Sequence, residues 1–344
     1  YQIGSIVVRI LSFDDIVIDA SFWEHRLRSA LALREALGLV GSREPADRYN
    51  DTFRLVHGEG DHLPGLIIDC YGQTAVMQAH SVGMHVSRIA MCETIVSVMG
   101  DRIKNIYYKS ETTLPFKAGL QQENGFLYGG SNDNIAVENG LKFHVDWLCG
   151  QKTGFFVDQR ENRSLLERYA RGRTVLNMFC YTGGFSVYAL RGGAKTVHSV
   201  DSSAKAIDLT NANVEMNFPG EGRHQAFCED AFRFLAQNEQ VYDLIILDPP
   251  AFAKHRAALH NALKGYIRLN ARGLASIRRG GILVTFSCSQ AVTKEQFRNA
   301  VFTAATQAGR SVRIIHQLHQ PADHPVNIFH PEGEYLKGLV LYVE

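Results

Sequence analysis

Several kinds of protein are excluded by what this 344-residue chain lacks. No apolar stretch reaches the roughly eighteen residues that a membrane-spanning helix needs, so no membrane partner is expected. The opening residues Tyr1-Gln2-Ile3-Gly4 carry no basic region of the kind that begins a secretory signal. The six cysteines (Cys70, Cys92, Cys149, Cys180, Cys228, Cys288) contain no Cys-x-x-Cys pair, which argues against a disulfide framework or a zinc site and for a reducing, cytoplasmic setting. His316 and His319 alone approach a metal-ligand spacing, and no second pair accompanies them, so no metal is expected. Charge of one sign is missing too: 36 basic against 35 acidic residues leave a net charge of +1. A nucleic-acid surface would then be a local patch and not a global field. Finally there is no Gly-x-Gly-x-x-Gly, which disfavours a dinucleotide pyrophosphate site.

What remains is an ordinary globular composition, 45% hydrophobic and 21% charged, in a chain long enough for two domains. Ile3–Leu11 reads as a strand that begins mid-fold, which suggests an upstream module. Helical spacing of Phe22, Leu27, Leu31 and Leu37 predicts a helix over 21–39, with Ser21 as its cap. Candidate strands follow at 52–57, 66–70, 74–79 and 105–109, with one helix over 82–98. Strands at 135–137 and 141–145 flank the hairpin signal Glu138-Asn139-Gly140. Residues from about 47 to 145 thus make a small α+β unit.

From Arg171 the rhythm becomes regular strand–helix alternation, which predicts a parallel, doubly wound sheet. Its strands are expected at 174–179, 196–200, 224–228, 243–247 and 282–286. Two further strands, 312–318 and 338–343, are joined only by a loop and should pair as an antiparallel edge hairpin. The runs ending in Asp248-Pro249-Pro250 and in Cys288 are short and apolar throughout, as strands buried on both faces are. Ligands bind beyond the carboxyl ends of such strands, so a thiol and a carboxylate are brought to one edge. After the first strand, Cys180-Tyr181-Thr182-Gly183-Gly184 permits a tight turn and close approach of a ligand. Asp201, 18 residues beyond Gly183, ends the second strand, where a carboxylate can accept both hydroxyls of an adenosine ribose. Glu229-Asp230-Ala231 supplies an acceptor for an adenine amino group. These features suit S-adenosylmethionine better than a dinucleotide, although each aspartate alone could be an ordinary helix cap.

Six longer segments carry a resemblance. They are Gln151–Arg163, Asn177–Phe185, Leu247–Phe252, Thr285–Ser289, and the pair Ala322–Val326 with Pro331–Gly338. Together they resemble the bacterial ribosomal RNA large subunit methyltransferase I family over nearly the whole chain. The resemblance implies a class I methyltransferase Rossmann-like α/β sheet with an antiparallel edge hairpin, preceded by a small α+β domain and the remnant of a PUA (RNA-binding) module. The implied division is 1–20 for the remnant, 21–46 for a connecting helix, 47–146 for the α+β domain and 147–344 for the methyltransferase domain. It further implies S-adenosylmethionine as cofactor, large-subunit (23S) ribosomal RNA as partner, and 5-methylcytosine as product; a homodimer is left open. The implied cofactor site comprises Gln159, Arg160, Asn177, Phe179, Tyr181 and Thr182, then Gly183, Asp201, Ser202, Asp230, Ala231 and Asp248.

Cytosine C5 is a weak nucleophile, so covalent catalysis is the expected route: a thiolate adds to C6 and activates C5. Cys288 is the expected nucleophile, with Asp248 as proton acceptor or holder of the base. Cys180 is the rival thiol, but it lies in the cofactor turn. Pro249 and Pro250 would stiffen the base pocket, and Phe252 either stacks on a flipped base or packs in the core. Arg160, Arg163, Lys254 and Arg256 are candidates for phosphate contacts, the last two more readily read as solvated charge. The Asp248 loop holds no second cysteine, so one thiol must both attack and leave. Two other readings stand beside this one: methylation of an exocyclic amine or guanine N7, for which Asp-Pro-Pro plus an aromatic is also used, and a catalytically idle RNA-binding factor.

Overall fold

A computed structural model describes the chain except residues 1–5, 7, 41–47, 115–118, 121–122, 238–239 and 254, and the Arg256 side chain. The chain folds as two units. The first comprises 1–157 with 321–333, the second 158–320 with 334–344.

The first unit opens with helix α1 (Ala20–Ala36). Its cap is Asp19, whose carboxylate accepts the Phe22 N–H at 3.0 Å. Ser21 therefore lies inside the helix and is not the cap, because the Asp19 carboxylate two residues earlier already accepts a free amide of the first turn. The expected strand over 3–11 falls partly outside the described residues; Ile6 and Val8–Leu11 are in no strand. A five-stranded sheet follows in the order β1 (Thr52–His57), β2 (Leu66–Tyr71), β3 (Thr74–Ala79), β4 (Asn105–Tyr108) and β5 (Gly125–Tyr128). Only β3 and β4 run parallel, and the helices α2 (Val82–Val86) and α3 (Arg88–Met99) provide the crossover. The single helix expected here breaks at Ser87, which ends one helix and begins the next. Strand β5 was not anticipated; Gly-Phe-Leu-Tyr is too short to show a period. The hairpin β6 (Ile135–Glu138) and β7 (Leu141–His144) turns through Asn139 and Gly140, both at positive φ. Leu27, Leu55, Ile68, Met77, Ile95 and Ile106 form the fully buried centre of this unit.

Beside that centre lies a buried polar network. Arg34 is fully buried and donates to both Asp61 oxygens, at 2.5 and 2.8 Å, and to the Arg54 carbonyl at 2.7 Å. It also donates to the Asp323 carbonyl at 2.6 Å, while the Arg54 N–H donates to the Asp323 carboxylate at 2.8 Å. The Arg54 guanidinium pairs with Asp69, which also accepts from Thr153 at 2.6 Å. Segment 321–333 is thus anchored in the first unit although both of its neighbours in sequence belong to the second.

In the second unit, α4 (Arg160–Ala170) leads into β8 (Thr174–Met178), α5 (Gly184–Arg191), β9 (Thr196–Asp201), α6 (Ala204–Asn217) and β10 (His224–Cys228). Next come α7 (Ala231–Gln237), β11 (Tyr242–Leu247), α8 (Leu259–Ser276), β12 (Ile277–Ser287), α9 (Lys294–Gln307), β13 (Val312–Leu318) and β14 (Lys337–Val343). The sheet order is β10-β9-β8-β11-β12-β14-β13. All pairs up to β12 are parallel, and β14 is antiparallel to both its neighbours. The expected antiparallel pair therefore forms, with β13 at the edge and β14 inserted beside β12. Strand order reverses between β8 and β11, which makes the carboxyl ends of these strands the place for a ligand. Strand β11 is buried on both faces from Leu244 to Leu247, as its unbroken apolar run required.

In the first unit, His57 is pushed down to about 2, by burial first and then by the nearby Arg54, His324 and Arg34 charges, against the pull of Asp323. The unfolded chain binds this proton near pH 6.5 and the folded chain does not, so stability is full above that value and falls as pH drops. A loss on the order of 2 kcal/mol is expected between pH 7 and 5, at 1.36 kcal/mol per pH unit. Chemical denaturation across that range should show it, with a smaller slope in His57→Gln.

Candidate active site

At the carboxyl end of β8 the backbone leaves the strand through a strained turn. Phe179 and Tyr181 have φ of 60° and 48°, and Gly183 follows at 76°. Left-handed φ at two aromatic residues costs energy and persists only where surroundings impose it. Helix α6 does so from beneath: Thr210 donates to the Tyr181 carbonyl at 2.9 Å and Asn213 to the Thr182 carbonyl at 2.8 Å. Strand β9 does so from the side, since the Asp201 carboxylate accepts the Tyr181 N–H at 3.0 Å. The other Asp201 oxygen accepts the Ser203 N–H at 2.9 Å. Each oxygen keeps a second lone pair, so the carboxylate is oriented yet still able to accept ribose hydroxyls. At Gly183 a Cβ would lie 2.7 Å from Thr210 Cγ2, so only glycine fits there.

The remaining candidate residues fall into two groups. Gln159 and Arg160 are buried at the start of α4, and Gln159 donates to the Asp248 carboxylate at 3.0 Å. Asn162 in turn donates to Gln159 Oε1 at 2.6 Å, which fixes the amide that holds Asp248. Asp230 is exposed and caps α7 through the Arg233 N–H at 3.0 Å, with Ala231 opening that helix and exposed Ser202 following β9. Asn177 is fully buried and donates to Ser186 at 2.9 Å, so its side chain supports α5 behind the turn. Arg160 and Arg163 are both buried, which removes them from a solvent-facing phosphate surface; Lys254 and the Arg256 side chain lie outside the described residues.

Cys288 follows the last residue of β12. Its neighbours Ser287 and Ser289 are buried and meet the Tyr266 hydroxyl of α8 at 2.9 and 3.0 Å. Alternation along an extended chain then turns Cys288 to the opposite side, where its Sγ lies 4.0 Å from the Pro249 carbonyl. Pro249 is buried and Pro250 exposed. Of the two uses foreseen for Phe252, packing is what the geometry supports: its ring lies 4.7 Å from that of Tyr266, and a Cβ on Gly265 would reach it at 2.9 Å. Cys180, the other candidate thiol, is buried and pushed up to about 12, chiefly by desolvation.

Sequence reasoning missed Thr210, Asn213, Asn162, Tyr266 and Lys337. Thr210 and Asn213 did leave a signal, as polar residues three apart on the same face of α6 as Ile207 and Val214. Lys337, a lone charge in an apolar run, donates to the Ser289 carbonyl at 2.7 Å.

The turn, the oriented Asp201 carboxylate and the absence of a phosphate cradle fit S-adenosylmethionine. The S-adenosylmethionine-dependent methyltransferase family matches residues 126–336, and the chain is an enzyme of that class. Two solved structures share the fold. One is a putative SAM-dependent methyltransferase from Streptococcus mutans, 24% identical, with a TM-score of 0.83 over 97% of this chain and 84% of that one. The other is a putative methyltransferase complexed with SAH, 25% identical, with the same TM-score and coverage. Among curated proteins, the ribosomal RNA large subunit methyltransferase I of Alteromonas mediterranea is 41% identical over 99% of this chain and 85% of its own length. That of Tolumonas auensis is 40% identical over 98% and 85%. The chain belongs to the ribosomal RNA large subunit methyltransferase I family. Gly183→Ala would combine a left-handed φ with the clash against Thr210, and should weaken S-adenosylmethionine binding at least about tenfold by calorimetry, with the fold retained.

Proposed function

We propose that this protein methylates C5 of a cytosine in large-subunit ribosomal RNA, with Cys288 as covalent nucleophile. The observation that carries the reading is the position of the Cys288 thiol beside the Asp248-Pro249-Pro250 loop, with both at the switch-point end of the sheet. The substrate class follows the names of the relatives at 37–41% identity.

Asp201 and the turn from Phe179 to Gly183 would hold the ribose and methionine portions of the cofactor. Asp230 and Ala231 would face the adenine, with Ser202 beside the ribose. When bound, S-adenosylmethionine supplies an electrophilic methyl on a sulfonium. The Cys288 thiolate adds to C6 of the target cytosine, which places electron density at C5. After methylation the proton on C5 leaves to a base, the C6–S bond breaks, and the electron pair returns to Cys288 as the aromatic ring reforms. Asp248 is suited to the cytosine edge or to that proton, because Gln159 orients its carboxylate at the end of β11, beside the Pro249 carbonyl that Cys288 approaches. Cys180 does not compete, since burial keeps it a thiol at neutral pH. Methylation of an amine needs no cysteine at all, which makes Cys288 the discriminating residue.

Nucleoside mass spectrometry of 23S RNA from cells lacking the protein, complemented with wild type or Cys288→Ala, tests the reading. Wild type should restore a 5-methylcytosine. Cys288→Ala should lower transfer by at least about a thousandfold, the scale seen when a covalent nucleophile is removed, while binding S-adenosylmethionine normally. Restoration of a methylated guanine or amine, or full activity in the variant, would exclude the covalent cytosine mechanism.

A further inference from the structure

Lys337 is a buried cation that has no carboxylate partner among the described residues. It opens β14, is 7% exposed, and stands opposite Ser287 in the β12–β14 ladder. Leu336 and Leu339 nearby are buried and apolar. Among the described residues its hydrogen bond goes to the Ser289 carbonyl alone, at 2.7 Å. The closest acid along the chain, Glu334, is engaged by Lys294 of α9 at 2.5 Å. Burying an ammonium this way is costly unless a charge of opposite sign develops beside it. The side chain lies on the Ser287 face of the ladder and ends at the Ser289 carbonyl, so the ammonium sits against the backbone next to Cys288.

We infer that Lys337 is a positioning residue that keeps Cys288 in its thiolate form and fixes the backbone that carries it. The inference rests on the reading of Cys288 as the nucleophile. The Cys288 proton is lost to solvent, the electron pair stays on sulfur, and the ammonium offsets the new charge. The titratable groups facing Lys337 agree with this role. Burial draws Lys337 down to about 8, while Cys288 and Glu334 act to raise it and Lys294 to lower it. Tyr266, from α8, is raised by burial and stays a neutral phenol at pH 7. The ammonium is therefore present below about pH 8, where a thiol of ordinary acidity is mostly protonated.

The test is alkylation of the full chain by iodoacetamide across pH 6–9, without RNA, with each cysteine followed by peptide mass spectrometry. Exposed Cys149 and Cys228 serve as internal references. The midpoint for Cys288 should lie below theirs, by an amount that makes its thiolate fraction at pH 7 about tenfold larger. Lys337→Met should move that midpoint up to the references and slow alkylation at pH 7 about tenfold, whereas Lys337→Arg should largely preserve it. Equal midpoints in the wild-type protein, a measurement that needs no variant to fold, would overturn the inference. So would an unshifted midpoint in a Lys337→Met protein that still binds S-adenosylmethionine. Methyl transfer by Cys288→Ala separates the two ideas: activity there removes the nucleophile reading but leaves the effect of Lys337 on the thiol standing.

Discussion

The ladder between β12 and β14 is the constraint on which the site depends. It pairs seven residues without interruption, from Gly281 with Val343 to Ser287 with Lys337. Because side chains alternate across a sheet, a slip of one residue would turn Lys337 to the other face and away from the Ser289 carbonyl that it holds next to Cys288. The same ladder pushes β13 to the edge and closes the apolar surface of β12, whose residues from Ile282 to Ser287 are all buried. Sheet register and active-site geometry are therefore a single property here.

The cofactor turn shows a different way of holding a functional conformation. Its residues occupy backbone regions they would not choose, and the compensation comes from side chains that are distant in sequence. Thr210 and Asn213 satisfy its carbonyls, and Asp201 satisfies its N–H. Each such bond contributes about 1 kcal/mol, more where a carboxylate is the acceptor, which is the scale of the strain it must offset. A carboxylate assigned to a ligand is thus also a structural clamp, and loss of Asp201 would relax the turn as well as remove an acceptor.

Most of the architecture was legible in the sequence because it follows from local pattern. Strand–helix alternation, the apolar runs ending at Asp248 and Cys288, and the glycines of the turn predicted the sheet and the strand ends at which the candidate residues lie. What was not legible depends on partners far along the chain. Nothing near Arg34 announces that its guanidinium will find Asp61 and the Asp323 carbonyl, and a buried arginine on a helix otherwise reads as solvated. The position of β14 between β12 and β13 follows from packing, not from the order of the segments. Ser21 and Asp19 are both good caps, and only the direction of the chain entering α1 decides between them. Lys337 was visible as an isolated charge among apolar residues, but its meaning required knowing which residue faces it across the ladder.

The excursion of residues 321–333 has a consequence for how the molecule is made. The first unit contains α1 and β1, which leave the ribosome well before residue 323, yet Arg34 and the Arg54 amide are satisfied by Asp323. During synthesis these groups have no such partner until residue 323 has emerged. Contacts separated by 289 residues, as Arg34 and Asp323 are, form slowly because a long loop must close first. The first unit therefore cannot complete its buried network until the strands of the second unit up to β13 have been made.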